Sequence, residues 1–106
     1  MHGWQLTFYT QQDRRHKGST LAQWLLNEAR KLGIGGATII AASAGYGRDR
    51  RPRSVGFFDL ADQPLEITMA VQEADAQRLF QRINEEKLAI FFIKIPIEFG
   101  TTGQDG

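Results

Sequence analysis

The 106-residue sequence contains no cysteine, which excludes disulfide bonds, thiolate catalysis and cysteine-bound zinc. It also has no long apolar run, since no stretch approaches the roughly 20 apolar residues that a membrane-spanning helix needs. The first ten residues, MHGWQLTFYT, lack the basic segment and apolar run of a secretory signal peptide. These absences favour a cytoplasmic protein, and the length fits one domain.

A large net charge is missing as well. Thirteen lysines and arginines balance twelve acidic residues, giving a formal charge of +1. Any attraction for an anion must therefore come from local clustering rather than from the molecule as a whole. One such cluster is present in AGYGRDRRPRS, from Ala44 to Ser54, where four arginines fall between Arg48 and Arg53 behind two glycines.

Four segments have the composition or alternation of β-strands. Leu65, Ile67, Met69 and Val71 alternate with Glu66, Thr68 and Ala70, which is the clearest period-two signal in the chain. The other predicted strands lie in WQLTFYT, in GATIIAASA and in LAIFFIKIPI, where Pro96 fits best near the strand end or on a sheet edge.

Two helices are predicted from apolar residues at helical spacing. The first follows the polar loop QQDRRHKGS, with Ser19 as its N-cap and Gly33 as its C-terminal stop. The second contains Ala76, Leu79, Phe80 and Ile83, and Glu85 and Glu86 near its end are interpreted as solvated charges. The aromatic residues of both helices, Trp24 and Phe80, are interpreted as core.

The element order β-α-β-β-α-β predicts an α+β, ferredoxin-like fold, in which a four-stranded antiparallel sheet carries both helices on one face. Residues 1–99 form this domain, with a flexible loop at about 45–54 and a disordered tail at 100–106. The other sheet face then exposes Thr7, Tyr9 and half of the last strand's apolar side chains. A partner subunit is the simplest cover for that face.

The segment LGIGGATIIAASAGYGRDRR, from Leu32 to Arg51, resembles the region of PII signalling proteins that runs from the first helix to the base of their T-loop. Over Trp4 to Phe99 the chain more closely resembles the PII-like family called domain of unknown function 190. The motifs DRRHKG, GATI, GYG and DLADQPLEITMAV carry that resemblance.

The resemblance implies a non-enzymatic signalling protein that forms a homotrimer closed through its sheets. Such a protein binds an adenine nucleotide between subunits as an effector rather than a cofactor. A change in the 45–54 loop then controls a protein partner, such as a membrane transporter or a metabolic enzyme.

Carried over by position, the resemblance assigns nucleotide-binding roles to Thr38, to Gly45 and Gly47 at the loop base, and to Arg48 directly after them. Tyr46 is expected to be structural or to stack beside the adenine. Further candidates in the loop, expected to contact phosphate or a protein partner, are Arg50, Arg51 and Arg53. Candidates expected to line the cleft between subunits are His16, Lys17 and Lys87.

The sequence also departs from the PII pattern. INEEKLAIFF lacks the glycines of the PII phosphate loop, and EFGTTGQDG lacks the C-terminal arginines of PII. AMP or ADP is therefore favoured over ATP. Asp49 stands where PII usually has glutamine, which leaves its role open.

The sequence leaves other functional interpretations open. The arginine run is also typical of a solvated turn, or of a docking module without a small-molecule ligand that acts on a transporter or a metabolic enzyme. Nucleic acid is disfavoured, because no aromatic stacking motif accompanies the arginines. Asp13 and His16 are too few for a metal site, and no convergent nucleophile or acid–base pair predicts catalysis. A small ferredoxin-like enzyme that uses the open sheet face is the least favoured alternative.

Overall fold

The computed structural model describes residues 1–45, 53–54 and 63–104, and at positions 44, 45, 53 and 54 only the backbone is considered. These residues contain long strands, short strands and two helices. The elements are β1 His2–Gln11, β2 Arg15–His16, β3 Ser19–Thr20, α1 Leu21–Lys31, β4 Thr38–Ala41, β5 Ala44–Gly45, β6 Arg53–Ser54, β7 Pro64–Val71, α2 Glu73–Glu85 and β8 Phe91–Glu98.

The main sheet has four antiparallel strands in the order β4-β7-β1-β8. This arrangement confirms the predicted α+β, ferredoxin-like architecture. Strands β1 and β7 lie in the centre, and β4 and β8 form the two edges. Pro96 lies in the edge strand β8, opposite Trp4 of β1, as its missing amide donor predicts.

The hydrophobic core lies between one face of this sheet and the two helices. Alternate residues of the central strands face the helices and are buried, as the alternation predicted. They include Leu6 and Phe8 of β1 and Ile67 of β7. The helices contribute the apolar residues of their inner faces, and Phe80 packs at the margin of the core. The buried helical residues are Leu21, Ala22, Trp24, Leu25, Ala29, Ala76, Leu79 and Ile83.

The ends of α1 follow the expected capping chemistry, with a shift of one residue at the start. Thr20, not Ser19, is the N-cap, and its hydroxyl accepts a hydrogen bond from the Gln23 amide at 3.2 Å. The Ser19 hydroxyl instead donates to backbone carbonyls near its own position. Gly33 ends the helix as predicted, since its φ of 82° is a conformation that glycine adopts without strain.

The polar segment before α1 is more ordered than the predicted loop. Strands β2 and β3 pair His16 with Ser19 and Arg15 with Thr20 in a small hairpin. The two turn residues, Lys17 and Gly18, have φ values of 50° and 81°. Two positive φ angles define the turn type whose twist matches that of a two-residue hairpin.

A second short pair lies after β4. Strands β5 and β6 place Ala44 opposite Ser54 and Gly45 opposite Arg53. The backbone therefore closes at the two ends of the arginine-rich segment, while residues 46–52 and 55–62 lie outside the described part of the chain. Among the residues that the structure describes, neither helix is long and apolar enough to cross a membrane.

Candidate functional site

The predicted strand threonine, Thr38, lies at one edge of the sheet. It begins β4 and faces Thr68 of β7, which in turn faces Thr7 of β1. The Thr7 and Thr68 hydroxyls are 3.3 Å apart and share a hydrogen bond. These three threonines thus form a row of hydroxyls across the sheet face that carries no helix.

The predicted cleft residues His16 and Lys17 lie on the other side of the sheet, where the hairpin of β2 and β3 meets the end of α2. Glu86 joins the two elements. Its Oε1 is 2.9 Å from His16 Nε2 and 2.6 Å from Lys17 Nζ. The Glu86 side chain is only 12% exposed, so the prediction of a solvated charge is wrong for this residue. Its position at the end of a helix did not reveal that His16 and Lys17 would pack against it.

The Lys17 and His16 hydrogen bonds lower the pKa of Glu86 from 4.5 to about 2. The carboxylate is therefore ionised throughout the physiological range, and it offsets positive charge on the hairpin. A hydrogen bond to a charged partner is stronger than one between neutral groups, and this contact joins the hairpin to the residue that caps α2.

Aromatic and charged residues of the two helices support this cluster. The His16 ring meets Trp24 edge to face, with ring centroids 5.1 Å apart, and the Arg82 guanidinium lies 6.0 Å from the Trp24 ring. Arg82 also pairs with Glu28 of α1 at 3.4 Å and with Glu85 at 2.8 Å. Trp24 is buried, as predicted for core. Its additional contact with the hairpin histidine was not predicted.

Lys87, the third predicted cleft residue, follows α2 directly. Its φ of 55° is left-handed, and its amide donates to the Asn84 carbonyl at 3.0 Å while the Leu88 amide donates to the Ile83 carbonyl at 3.3 Å. This pair of hydrogen bonds is the Schellman arrangement that commonly ends a helix, usually with glycine in the left-handed position. Lys87 therefore has a structural role, and its side chain is exposed.

The candidate residues are divided between the two edges of the sheet. Thr38 belongs to the edge strand β4, whereas Lys87 precedes the opposite edge strand β8. Three inter-strand spacings, about 14 Å, separate the edges. The Thr38 side chain also projects from the open face, whereas His16 and Lys17 lie against the helices. One protomer therefore does not bring all of them together.

The remaining predicted site residues belong to the arginine-rich segment. Gly45 and Arg53 are placed by their backbones, directly opposite one another in the β5–β6 pair. Tyr46, Gly47, Arg48, Arg50 and Arg51 lie outside the described residues, as does Asp49. The roles assigned to Gly45, Tyr46, Gly47 and the four arginines stay predictions.

The open face of the sheet is apolar along the edge strand β8. Phe91, Ile93 and Ile95 are 60%, 39% and 44% exposed, and Ile40 of the opposite edge is 49% exposed. Between them lie Tyr9 and Glu66, which are register partners. Burial raises the pKa of Tyr9, and the neighbouring Glu66 carboxylate raises it further. The apolar side chains of β8 are thus exposed on this face as predicted, but Thr7 is only 7% exposed and Tyr9 is half-buried, so the predicted exposure of these two residues is wrong.

In the described part of the chain, no three potential metal ligands converge. An open groove does run between α2 and β8. Its floor is Phe80, and its sides carry Lys94, Glu85 and amide side chains of α2.

Comparison with known proteins places these features in a family context. The model of domain of unknown function 190, described as an uncharacterised ACR, matches residues 3–91. A UPF0166 protein of Aquifex aeolicus is 30% identical over 81 residues, covering 76% of this chain and 74% of its own length.

Solved structures share the fold. The PII-like protein TTHA0516 of Thermus thermophilus superposes with a TM-score of 0.67 at 24% identity, covering 91% of this chain and 87% of its own. CPII of Thiomonas intermedia, a nitrogen regulatory PII-like protein bound to ADP, AMP and bicarbonate, has a TM-score of 0.63 at 20% identity, covering 95% and 96%. The fold is therefore PII-like.

Proposed function

Because the chain belongs to the family of domain of unknown function 190, we propose that it is a non-enzymatic PII-like signalling protein of the cytoplasm. It binds AMP or ADP between the subunits of a homotrimer. The bound nucleotide changes the conformation of the 45–54 loop, and the loop in turn controls a protein partner, such as a transporter or a metabolic enzyme.

The division of the candidate residues between opposite sheet edges carries this proposal. Thr38 and the loop base Gly45 follow one edge, whereas His16, Lys17 and Lys87 lie near the other. A neighbouring subunit that brings its β4 edge beside the β8 edge of this chain would complete the set. The nucleotide complexes of CPII, a protein of the same fold, support an adenylate as the ligand of that junction.

The apolar open face supports the trimer. A small domain gains stability when such a face is covered, because each Å² of apolar surface removed from water contributes about 25 cal/mol. Phe91, Ile93 and Ile95 line that face together with Ile40 of the opposite edge strand. A face that is apolar on both edges suits packing against copies of itself.

Local charge supports a mono- or diphosphate rather than a triphosphate. Glu86 already offsets the charge of Lys17 and bonds the His16 ring, so these residues add little net attraction. In this proposal most of the attraction for phosphate falls to Arg48 and its neighbours, because planar guanidinium groups can pair with phosphate oxygens in two-pronged fashion.

Calorimetric titration with AMP, ADP and ATP, on protein freed of co-purified nucleotide, tests the proposal. We expect AMP or ADP to bind with one site per subunit, and Arg48→Ala to weaken that binding at least tenfold, because an ionic phosphate contact is lost. Arg30→Ala, which removes an exposed arginine at the end of α1, is the matched control. If none of the three nucleotides binds to the wild type, the proposal is wrong and the docking module without a ligand becomes the better hypothesis.

A further inference from the structure

Glu86, the C-cap residue of α2, differs from the glutamate before it in the side chains that it contacts. It contacts the Lys17 ammonium and the His16 ring, both of a different element, whereas Glu85 pairs with Arg82 within its own helix. The Glu86 side chain is 12% exposed and the Glu85 side chain is 49% exposed. Glu86 is therefore the acidic group that fixes the hairpin of β2 and β3 to the end of α2.

We propose that Glu86 is an internal competitor for phosphate: its carboxylate occupies the Lys17 ammonium and the His16 ring until a phosphate group of the ligand draws them away. This inference rests on the proposed function, and it names the regulation of the same site. Binding of the ligand and release of the hairpin from α2 are then one event.

The contacts support an exchange rather than a permanent link. Lys17 is 64% exposed on a flexible four-carbon stem, so its ammonium can leave Glu86 without disturbing the core. The carbonyl groups at the end of α2 and the Glu86 carboxylate both attract cations to this position. A ligand phosphate must therefore overcome both attractions to bind Lys17. It binds more readily when the hairpin is not bonded to Glu86.

The backbone around Glu86 is unusual in the same place. The non-glycine residues with positive φ in the described chain are Lys17 and Lys87, one bonded to Glu86 and the other following it. Both lysines have a backbone conformation that L-residues seldom adopt. The turn at Lys17 thus holds the residue whose ammonium group bonds Glu86, and the turn at Lys87 holds the backbone directly after Glu86.

Two variants separate this competition from general effects of charge. Glu86→Gln keeps the size of the side chain and removes its charge, and Glu85→Gln makes the same change one residue earlier. Binding of ADP and of inorganic pyrophosphate is measured by calorimetry at low ionic strength. Amide hydrogen exchange of residues 14–20 is measured without ligand.

We expect Glu86→Gln to bind both probes about fivefold more tightly than the wild type, because a nearby like charge is removed at a partly exposed site. Hairpin amides of Glu86→Gln should exchange faster than those of the wild type. Glu85→Gln should match the wild type in both measurements.

The outcomes distinguish this inference from the proposed function. If the wild type binds ADP and Glu86→Gln binds it no more tightly than Glu85→Gln does, the competitor role is overturned while nucleotide binding stands. If the wild type binds neither probe but Glu86→Gln binds pyrophosphate, the competitor role stands and the proposed nucleotide function does not. Absence of binding to every variant overturns both.

Discussion

At the scale of single residues, Lys87 occupies a position where glycine is the usual choice. Its φ of 55° ends α2, just as Gly33 with a φ of 82° ends α1. The left-handed region costs a residue with a Cβ atom roughly 1–2 kcal/mol. We expect Lys87→Gly to raise the free energy of unfolding by about 0.5–1 kcal/mol, since part of the relief is lost to the greater entropy of the unfolded chain.

Urea denaturation at one fixed protein concentration measures this change, because association would otherwise affect the midpoint. Gly33→Ala is the opposite control and should lower stability by about 1 kcal/mol. A Lys87→Gly variant less stable than the wild type would contradict the structural role given to this lysine, and would point to a stabilising contact of its ammonium group.

Glu86 gives a second prediction, on pH. Its pKa is lowered from 4.5 to about 2, so its ion pairs stabilise the fold fully above pH 4.5 and are lost as pH falls towards 2. The free energy of unfolding should therefore decline more steeply for the wild type than for Glu86→Gln across this window. Urea denaturation at a series of pH values measures both slopes, and Glu85→Gln should keep a slope close to that of the wild type. Parallel curves for wild type and Glu86→Gln would contradict the pairing.

At the scale of elements, the start of α1 distinguishes two neighbouring hydroxyl residues. Thr20 caps the helix through the Gln23 amide, whereas Ser19 bonds only to nearby carbonyls. We expect Thr20→Ala to lower the free energy of unfolding by about 1 kcal/mol, because a helix amide loses its acceptor. Ser19→Ala should cost clearly less. Denaturation of both variants measures the difference, and equal costs would mean that the cap assignment is wrong.

The elements were largely predictable from the sequence. Alternation in Leu65–Val71 and helical spacing around Leu79 both report which side of an element faces the core, and burial follows that pattern. The hairpin of β2 and β3 was missed because its four strand residues are polar. Its signal was the dipeptide Lys17–Gly18, where only the glycine is typical of a turn with positive φ.

The candidate site was much less predictable. His16 and Glu86 are 70 residues apart in the chain, and no local pattern links a loop histidine to a glutamate after a distant helix. The arrangement depends on the packing of α1 against both elements, through Trp24 and Arg82. The resemblance assigns a role to a position such as Thr38, but it does not show which residues that position contacts.

At the scale of the whole molecule, the two sheet faces have different chemistry. The helix-covered face carries a continuous core, and the open face has a polar centre of Thr7, Thr68 and Glu66 beside the apolar β8. Apolar edges favour association, and hydroxyl groups between them can hydrogen-bond across an interface and fix its register. Such a pattern suits a specific assembly better than non-specific aggregation.

We therefore expect Ile93→Glu to dissociate the proposed trimer, because a charge introduced on the open face would have to be buried without a partner. Gln81→Glu places the same charge on the exposed side of α2 and should leave the proposed assembly intact. Sedimentation velocity of wild type and both variants gives their masses, and circular dichroism checks that Ile93→Glu remains folded. A wild type that sediments as a monomer would contradict the assembly directly. A trimeric Ile93→Glu would show instead that the subunits meet through a surface other than the open face. The monomeric outcome would also remove the geometric basis of a nucleotide site shared between the β4 edge of one subunit and the β8 edge of the next.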